Sequence, residues 1–173
     1  MSQSINVQSP DSAPQVRQYL TFTLGGEPFA VGTLSVKEII EYGQLTAVPM
    51  MPPSIRGVIN LRGAVVPVID LGARFGGRLT QVGRRTCIVI LEVDHTEGQQ
   101  VIGVLVDAVN EVLEIAPADI EPPPAFGAHI RTDFILGMGK VGGRFVILLD
   151  IGRVLSVDEL AALTEVAQTA AGE

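Results

Sequence analysis

The segment Val58-Ile59-Asn60-Leu61-Arg62-Gly63-Ala64-Val65-Val66-Pro67-Val68-Ile69-Asp70 is the most informative part of the chain. Two runs of aliphatic and β-branched residues, which are typical of strands, flank the pair Arg62-Gly63. The glycine supplies the positive φ that a two-residue hairpin turn requires. Pro67 donates no backbone hydrogen bond, so it needs an edge or a bulged position. The segment therefore predicts a β-hairpin.

A second copy of this pattern lies 80 residues further along the chain. Residues 55–75 align with residues 135–155 without a gap, and thirteen of the 21 positions are identical or keep apolar character. The identical pairs are Ile55/Ile135, Gly57/Gly137, Gly63/Gly143, Val66/Val146, Asp70/Asp150 and Gly72/Gly152. A weaker upstream match, at an offset of 70, relates Val36 to Val106 and Glu41 to Glu111. The chain thus contains an internal repeat.

Further short strands are predicted on both sides of each copy. The alternating segments 18–24 and 27–31 form one hairpin, and the apolar segments 86–93 and 100–106 form another. Val36, Ile39 and Ile40 have the i, i+3, i+4 spacing of one or two helical turns. Residues 156–159 read as a capping box that starts a C-terminal helix, whose buried stripe is Leu160, Leu163 and Ala167.

These segments predict an all-β protein with short helices. Each repeat has about five short strands, too few to bury a good core alone, so we expect two five-stranded β-barrel subdomains packed around a shared apolar core, followed by the C-terminal helix. The second barrel is expected to begin near Thr86. Residues 1–17 read as a disordered tail, residues 18–163 as the folded domain, and residues 164–173 as a fraying end.

Composition excludes several classes of protein. The 173-residue chain is 47% hydrophobic and 18% charged, which fits a packed core. No apolar run approaches the roughly 18–20 residues of a membrane-spanning helix, and the N-terminus has no signal-peptide pattern. A net charge of −7 argues against nucleic acid as a partner. The single cysteine cannot form an internal disulfide, in keeping with a cytoplasmic location.

The charges are unevenly distributed along the chain. Residues 55–85 carry six arginines against Asp70, a local net charge of +5, whereas residues 86–130 carry eight acids and no Lys or Arg, a local net charge of −8. We assign the first segment to the first barrel and the second to the second barrel. Such a distribution suits docking onto charged protein surfaces, although a solvated surface with chance clustering would give the same pattern.

No pattern of catalytic or metal-binding residues is present. The string Gly137 to Gly142 matches GxGxxG, but a strand follows it where a nucleotide-binding loop would open a helix. His95 and His129 lie far apart in polar or proline-rich loops, and Cys87 opens an apolar strand. We therefore expect a protein that is not an enzyme and has no cofactor and no metal.

Several motifs resemble those of the CheW family of bacterial chemotaxis coupling proteins. The most specific are Asn60-Leu61-Arg62-Gly63 and the following segment 66–71. The other matching segments are 36–39, 55–60, 101–107, 109–113, 135–139 and 147–150. Together they span most of residues 18–163.

The resemblance implies a fold and a function. The fold would be two five-stranded SH3-like barrels with a groove between them. The function would be that of a non-enzymatic adaptor in the cytoplasm, recruited to membrane-associated receptor arrays. Its partners would be the cytoplasmic tip of chemoreceptors and the regulatory domain of a CheA-type histidine kinase, and contacts between CheW and CheA or between CheW copies could close rings.

The resemblance also implies two sets of contact residues. The receptor groove would comprise Val36, Glu38, Ile39, Gly57, Arg62 and Val112. The kinase or ring contact would comprise Asn60, Leu61, Gly63 and Val65, joined by Phe126, which lies on a proline-stiffened loop. We hypothesise that Arg62 pairs with Glu38. For Arg62 the alternative is an exposed turn residue of little energetic weight, and for the groove residues it is ordinary core packing.

Two other functions remain open at this point. One is a CheW-like adaptor of a type IV pilus or developmental pathway. The other, less favoured, is a double barrel that binds a small ligand or carries an unrecognised enzymatic site.

Overall fold

The computed structural model describes residues 16–43, 45–75, 79–95, 98–123 and 134–154. These ranges contain eleven strands: β1 (Arg17–Leu24), β2 (Glu27–Gly32), β3 (Val36–Glu41), β4 (Ile55–Leu61), β5 (Ala64–Asp70), β6 (Cys87–His95), β7 (Gly98–Val106), β8 (Ala108–Ile115), β9 (Ile120–Glu121), β10 (Ile135–Val141) and β11 (Arg144–Leu149). Two four-residue helices, α1 (Leu71–Arg74) and α2 (Ile151–Val154), follow β5 and β11. The prediction of a mostly β fold with short helices is confirmed. Residues 1–15 of the predicted N-terminal tail, the C-terminal helix from Ser156, the C-terminal end and Phe126 lie outside the described residues, whereas Arg17, which we had placed in the tail, begins β1.

The strands form two sheets. The central sheet has the order β3-β6-β7-β5-β4 and is built from the continuous segment 36–106. The terminal sheet has the order β8-β1-β2-β11-β10-β9 and combines the first two strands with the last four. Neighbouring strands are antiparallel except for the pairs β5–β7 and β2–β11.

The division of the chain into consecutive halves was wrong. Strands β6 and β7, which we had placed in the second barrel, pair with β5 and β3 in the central sheet. The terminal sheet instead takes its corresponding hairpin, β1–β2, from the start of the chain. The acidic segment 86–130 consequently contributes to both sheets rather than to a second barrel alone.

The internal repeat appears in both sheets with the same strand register. In the β4–β5 hairpin the register shifts between Ile55 and Gly57, and in the β10–β11 hairpin it shifts between Ile135 and Gly137. The parallel pairing next to each hairpin includes the same position, which joins Val68 to Gly103 in one sheet and Leu148 to Ala30 in the other. The offset of 80 therefore describes the structure as well as the sequence.

Strand β3 corrects two predictions. The segment 36–41 is a strand rather than a helical turn, because a bulge at Lys37 places one extra residue in β3 and so mimics helical spacing. A matching irregularity separates Val109 from Val112 in β8. The true counterpart of Val36 is therefore Val109, at an offset of 73 rather than 70.

Three apolar clusters hold the sheets together. The largest has fourteen buried residues from both sheets, whereas each of the other two has five residues and belongs to one sheet. In β6, Val89 and Leu91 face the shared cluster while Ile88 and Ile90 face the cluster of the central sheet. Burial on both faces explains why residues 88–91 of this strand are all apolar. The predicted shared core is present and draws its residues from both sheets.

Candidate functional site

The turn that joins β4 to β5 presents Arg62 on a constrained backbone. Arg62 and Gly63 have φ values of 52° and 88°, the two positive angles of a type I′ turn. Two other hairpin turns have glycine pairs there, Gly25-Gly26 and Gly142-Gly143. A left-handed conformation costs a residue with a side chain about 1–2 kcal/mol. Arg62 thus occupies a position where glycine would be more stable.

The Arg62 side chain binds Glu38 of β3. Its Nη1 and Nη2 atoms donate to the two carboxylate oxygens of Glu38 at 2.5 and 2.8 Å, a bidentate arrangement. These hydrogen bonds lower the pKa of Glu38 below its ordinary value and raise the pKa of Arg62 above its ordinary value. The Arg62 side chain is 72% exposed and that of Glu38 is 26% exposed, so the pair is open to a partner. The hypothesis that these residues pair is confirmed.

This ion pair links the two edges of the central sheet. Strands β3 and β4 are at opposite ends of the strand order, yet Arg62 at the end of β4 reaches Glu38 on β3. A second link is the isolated bridge between Thr46 and Val58, where two backbone hydrogen bonds of 2.9 Å join the chain after β3 to β4. The sheet is therefore curled, with Arg62 held where its edges approach each other.

Ile39 and Val112 occupy equivalent positions on the edge strands of the two sheets. Ile39 pairs with Val89 and Val112 pairs with Leu20, and both partners belong to the shared cluster. Cross-strand partners share a face, so Ile39 and Val112 lie on the faces turned toward the other sheet. They are nonetheless 42% and 51% exposed. Val36, on the same face of β3, is partly buried against the shared cluster.

Gly57 has a structural explanation of its own. Its φ is +147°, and a Cβ atom there would lie 2.5 Å from the carbonyl oxygen of Thr46. At the equivalent Gly137 a Cβ would lie 2.5 Å from Cγ2 of Ile120. Gly57 is buried, so it permits close packing of the chain after β3 and offers little surface to a partner.

The other predicted contact residues lie along the β4–β5 hairpin. The Asn60 side-chain oxygen accepts a hydrogen bond of 2.8 Å from the backbone N–H of the exposed Gly63 and so holds the turn. Leu61 is partly buried against the cluster of the central sheet, and Val65 is half-buried. Four of the five residues are thus close along one hairpin, and the fifth, Phe126, lies outside the described residues.

A buried carboxylate network next to this hairpin was not predicted from the sequence. Asp70 is fully buried and forms an ion pair of 2.7 Å with Arg56. Its oxygens also accept hydrogen bonds from the Thr80 hydroxyl, the Thr80 N–H and the Ala73 N–H. The identity of Asp70 and Asp150 in the repeat was the available signal. The network fixes α1 and the chain near Thr80 against β5.

Two other kinds of site are absent from the described part of the chain. Within it, no group of three or more His, Cys, Asp or Glu side chains could hold a metal ion. No helix among the same residues is long and apolar enough to cross a membrane.

Comparisons with known proteins give the family. The model of the CheW-like domain matches residues 18–159. The chain belongs to the CheW family. The chemotaxis protein CheW of Klebsiella aerogenes is 37% identical over 153 residues, covering 88% of this chain and 90% of the relative. The CheW of Rhizobium meliloti is 33% identical over 146 residues, covering 84% and 92%.

A solved structure supports the fold at similar identity. The crystal structure of scaffolding protein TtCheW from Thermoanaerobacter tengcongensis matches with a TM-score of 0.73 and 32% identity, covering 84% of this chain and 96% of that one. The names of these relatives describe them as chemotaxis and scaffolding proteins.

Proposed function

We propose that this CheW-family protein is a non-enzymatic adaptor that couples chemoreceptors to a CheA-type histidine kinase. The observation that carries the proposal is the exposed bidentate pair between Arg62 and Glu38, held on a turn where the arginine backbone is strained. Strained residues persist where the surrounding structure holds them and are concentrated at functional sites.

The receptor would bind at the junction of the two sheets. The tip of a receptor is expected to present a helix, and a helix bound in a groove uses apolar anchors at i, i+3 and i+4. Ile39 and Val112, together with the partly buried Val36, offer apolar surface at the margin of the shared core. Glu38 and Arg62 would supply polar contacts that fix the orientation of the helix. Gly57 would shape the groove through its packing.

The kinase would bind the β4–β5 hairpin. Strand β4 lies at an edge of the central sheet, and Asn60, Leu61, Gly63 and Val65 follow one another around its turn. We propose that this hairpin contacts the regulatory domain of the kinase. Phe126 would make a second contact, with a kinase domain or another CheW copy, and together the two contacts would permit a ring. The adaptor would act in the cytoplasm, at receptor arrays, without a cofactor.

The receptor face can be tested with charge substitutions. We expect Ile39→Asp and Val112→Asp each to weaken co-sedimentation with receptor-containing membranes by about tenfold, or about 1.4 kcal/mol. Both side chains are about half exposed, so the fold should tolerate the change. Phe145→Asp is the matched control, because Phe145 is 48% exposed on β11 and outside the proposed face.

Reconstituted kinase activity tests the whole proposal. Receptor fragments should activate the kinase only when this protein is added, and the Ile39 and Val112 variants should lose activation in proportion to receptor binding. If these variants bind and activate as the Phe145 variant does, the receptor face is elsewhere. If the wild-type protein has no effect on the kinase, the coupling function is wrong.

A second candidate remains within the family. Protein FrzA of Myxococcus xanthus is 30% identical over 141 residues, so relatives with a name other than CheW also share this fold family. An adaptor of a non-flagellar chemosensory pathway would use the same surfaces with a different receptor and kinase. Affinity capture of the native kinase with this protein as bait distinguishes the two.

A further inference from the structure

Strand β8 contains a bulge immediately before Val112. Val109 pairs with Phe22 of β1, and Val112 pairs with Leu20. Strand β8 therefore advances three residues where β1 advances two. In a regular strand, residues three apart point to opposite faces of the sheet. The extra residue is what places Val109 and Val112 on one face, the face turned toward the shared cluster.

The hydroxyl of Thr21 binds the backbone of this bulge. Thr21 lies on β1 between the partners of Val112 and Val109, and only 4% of it is exposed. Its Oγ1 atom donates a hydrogen bond of 2.8 Å to the carbonyl oxygen of Glu111 and accepts one of 3.1 Å from the N–H of Glu111. One side chain thus satisfies both backbone groups of the residue before Val112. Because both hydrogen bonds are partly shielded from solvent, their loss would leave backbone groups without partners, which is unfavourable.

The central sheet has the same bulge without such a hydroxyl. Strands β1 and β6 hold the same position in their sheets, so Thr21 corresponds to Ile90, and Glu111 corresponds to Glu38 at the offset of 73. Glu38 pairs with Ile90 along the backbone, and Ile90 is fully buried. The fold therefore accommodates an aliphatic side chain at this position. In the terminal sheet the register skips Glu111, and the hydroxyl of Thr21 binds it instead.

We propose that Thr21 is a positioning residue of the receptor face, whose hydroxyl holds the β8 bulge and so keeps Val112 beside the shared cluster. This rests on the proposed function, which assigns Val112 to the receptor. Val112 is 51% exposed, whereas Thr21 is buried and acts only through the backbone of β8. Loss of the bulge would turn Val112 to the opposite face, because a slip of one residue reverses the direction of each side chain.

Receptor binding by Thr21 variants of the full-length chain tests the proposal. Thr21→Val removes the hydroxyl at nearly constant size and should weaken co-sedimentation with receptor-containing membranes by about tenfold, as expected for Val112→Asp. Thr21→Ala removes the same hydroxyl and should give a similar loss, so the result does not depend on one variant. Thr21→Ser keeps the hydroxyl and should bind as the wild type does. Circular dichroism confirms that each variant is folded under the conditions of the binding measurement.

Thr23→Val is the matched control on the same strand. The Thr23 hydroxyl accepts a hydrogen bond of 3.1 Å from the exposed side chain of Asn110, not from the backbone of the bulge. This variant should therefore bind the receptor as the wild type does. Equal losses for Thr23→Val and Thr21→Val would overturn the proposal, because the effect would then come from a general weakening of β1.

NMR tests the position of Val112 without a receptor. In the wild type the methyl groups of Val112 and Leu20 should give a nuclear Overhauser effect, since cross-strand partners share a face. Thr21→Val should lose this signal and speed hydrogen exchange of the Glu111 amide by about tenfold, because the bulge then opens more often. Thr21→Ser should restore both. An unchanged signal and exchange rate in Thr21→Val would overturn the proposal.

The two measurements distinguish a failure of this proposal from a failure of the proposed function. If Val112→Asp weakens receptor binding and Thr21→Val does not, the receptor face is correct and the role of Thr21 is wrong. If Val112→Asp binds the receptor as the wild type does, the receptor face itself is wrong, and the role of Thr21 in it is wrong for that reason.

Discussion

At the scale of single residues, Arg62 presents an exposed charge from a backbone conformation that is unfavourable for a residue with a side chain. Its φ of 52° lies in the left-handed region, as do the φ angles of Gly25 and Gly142 in two other hairpin turns. The arginine is held there by two hydrogen bonds to Glu38, and Asn60 stabilises the turn from the other side. The sequence motif predicted the turn correctly, since Asn60-Leu61-Arg62-Gly63 contains both the turn and its supporting side chain.

The Arg62–Glu38 pair predicts a specific pH dependence. Arg62 lowers the pKa of Glu38, so the stability that the pair contributes is present above the ordinary carboxylate pKa and is lost as the pH falls through the lowered value. Arg62→Gly removes the pair but relieves about 1–2 kcal/mol of backbone strain. Its stability relative to the wild type should therefore rise as the pH is lowered. Carboxyl NMR titration should show the pKa of Glu38 returning toward its ordinary value.

The control for this titration is Lys140→Ala. Lys140 forms another exposed ion pair, with Glu121 at 2.9 Å in the terminal sheet. Its removal should leave the Glu38 titration unchanged. An identical Glu38 pKa in the wild type and the Arg62→Gly variant would contradict the pairing in solution.

At the scale of secondary structure, edge strands and bulges were the hardest features to predict. The bulge at Lys37 places Val36 and Ile39 on the same face of β3 although they are three residues apart. That separation is typical of a helical turn, which is why the sequence indicated a helix. The β4–β5 and β10–β11 hairpins, in contrast, were predicted because their glycine turns and repeated pattern are local. The counterpart of β3 was placed at the wrong offset for the same reason, since β8 also carries an irregularity. Local sequence does not reveal a bulge that pairing with a distant strand creates.

The bulge glycine of β4 gives a prediction at this scale. Gly57→Ala combines a positive φ with a Cβ that would lie 2.5 Å from the Thr46 carbonyl oxygen, so the backbone must move. We expect it to lower the free energy of unfolding by about 3 kcal/mol or more. Gly25→Ala has a positive φ with no atom within 4 Å, and should cost only about 1–2 kcal/mol. Urea denaturation measures both, and equal losses would show that crowding at Gly57 is unimportant.

At the scale of the whole molecule, the shared cluster joins the two sheets into one unit. Its fourteen buried residues outnumber the five in each single-sheet cluster, so neither sheet keeps most of its core without the other. The repeat predicted two similar units and a common core, and both are present. The repeat could not predict which hairpin belongs to which sheet. The pairing of β1 and β2 with strands near the end of the chain is not encoded in any local sequence pattern.

The shared core predicts one cooperative unfolding transition. The two tyrosines are natural probes, since Tyr19 belongs to the cluster of the terminal sheet and Tyr42 packs against that of the central sheet. Asp70→Asn leaves Arg56 without its buried partner and should cost about 3–5 kcal/mol. In fluorine NMR of fluorotyrosine-labelled Asp70→Asn protein, both tyrosine signals should report the same urea midpoint of unfolding. That midpoint should be lower than the midpoint of the wild type.

The matched variant is Asp150→Asn. Asp150 is the repeat counterpart of Asp70, but its side chain is 34% exposed and its ion pair with Arg153 is longer, at 3.5 Å. Its replacement should cost less than about 1 kcal/mol. If Asp70→Asn moved the Tyr42 midpoint and left the Tyr19 midpoint in place, the two sheets would unfold independently.

The terminal sheet also has a consequence for how the protein is made. Strands β1 and β2 leave the ribosome first, but their partners β8 and β11 are separated from them by most of the chain. At about 5–20 residues per second, the hairpin waits roughly 6–23 s for β11 to be synthesised. During that interval Leu20, Phe22 and Val31 lack the residues of β11 and α2 that complete their cluster, and the central sheet, which forms the rest of that cluster, is itself complete only after Val106. The newborn N-terminal hairpin is therefore the segment most in need of a chaperone during translation.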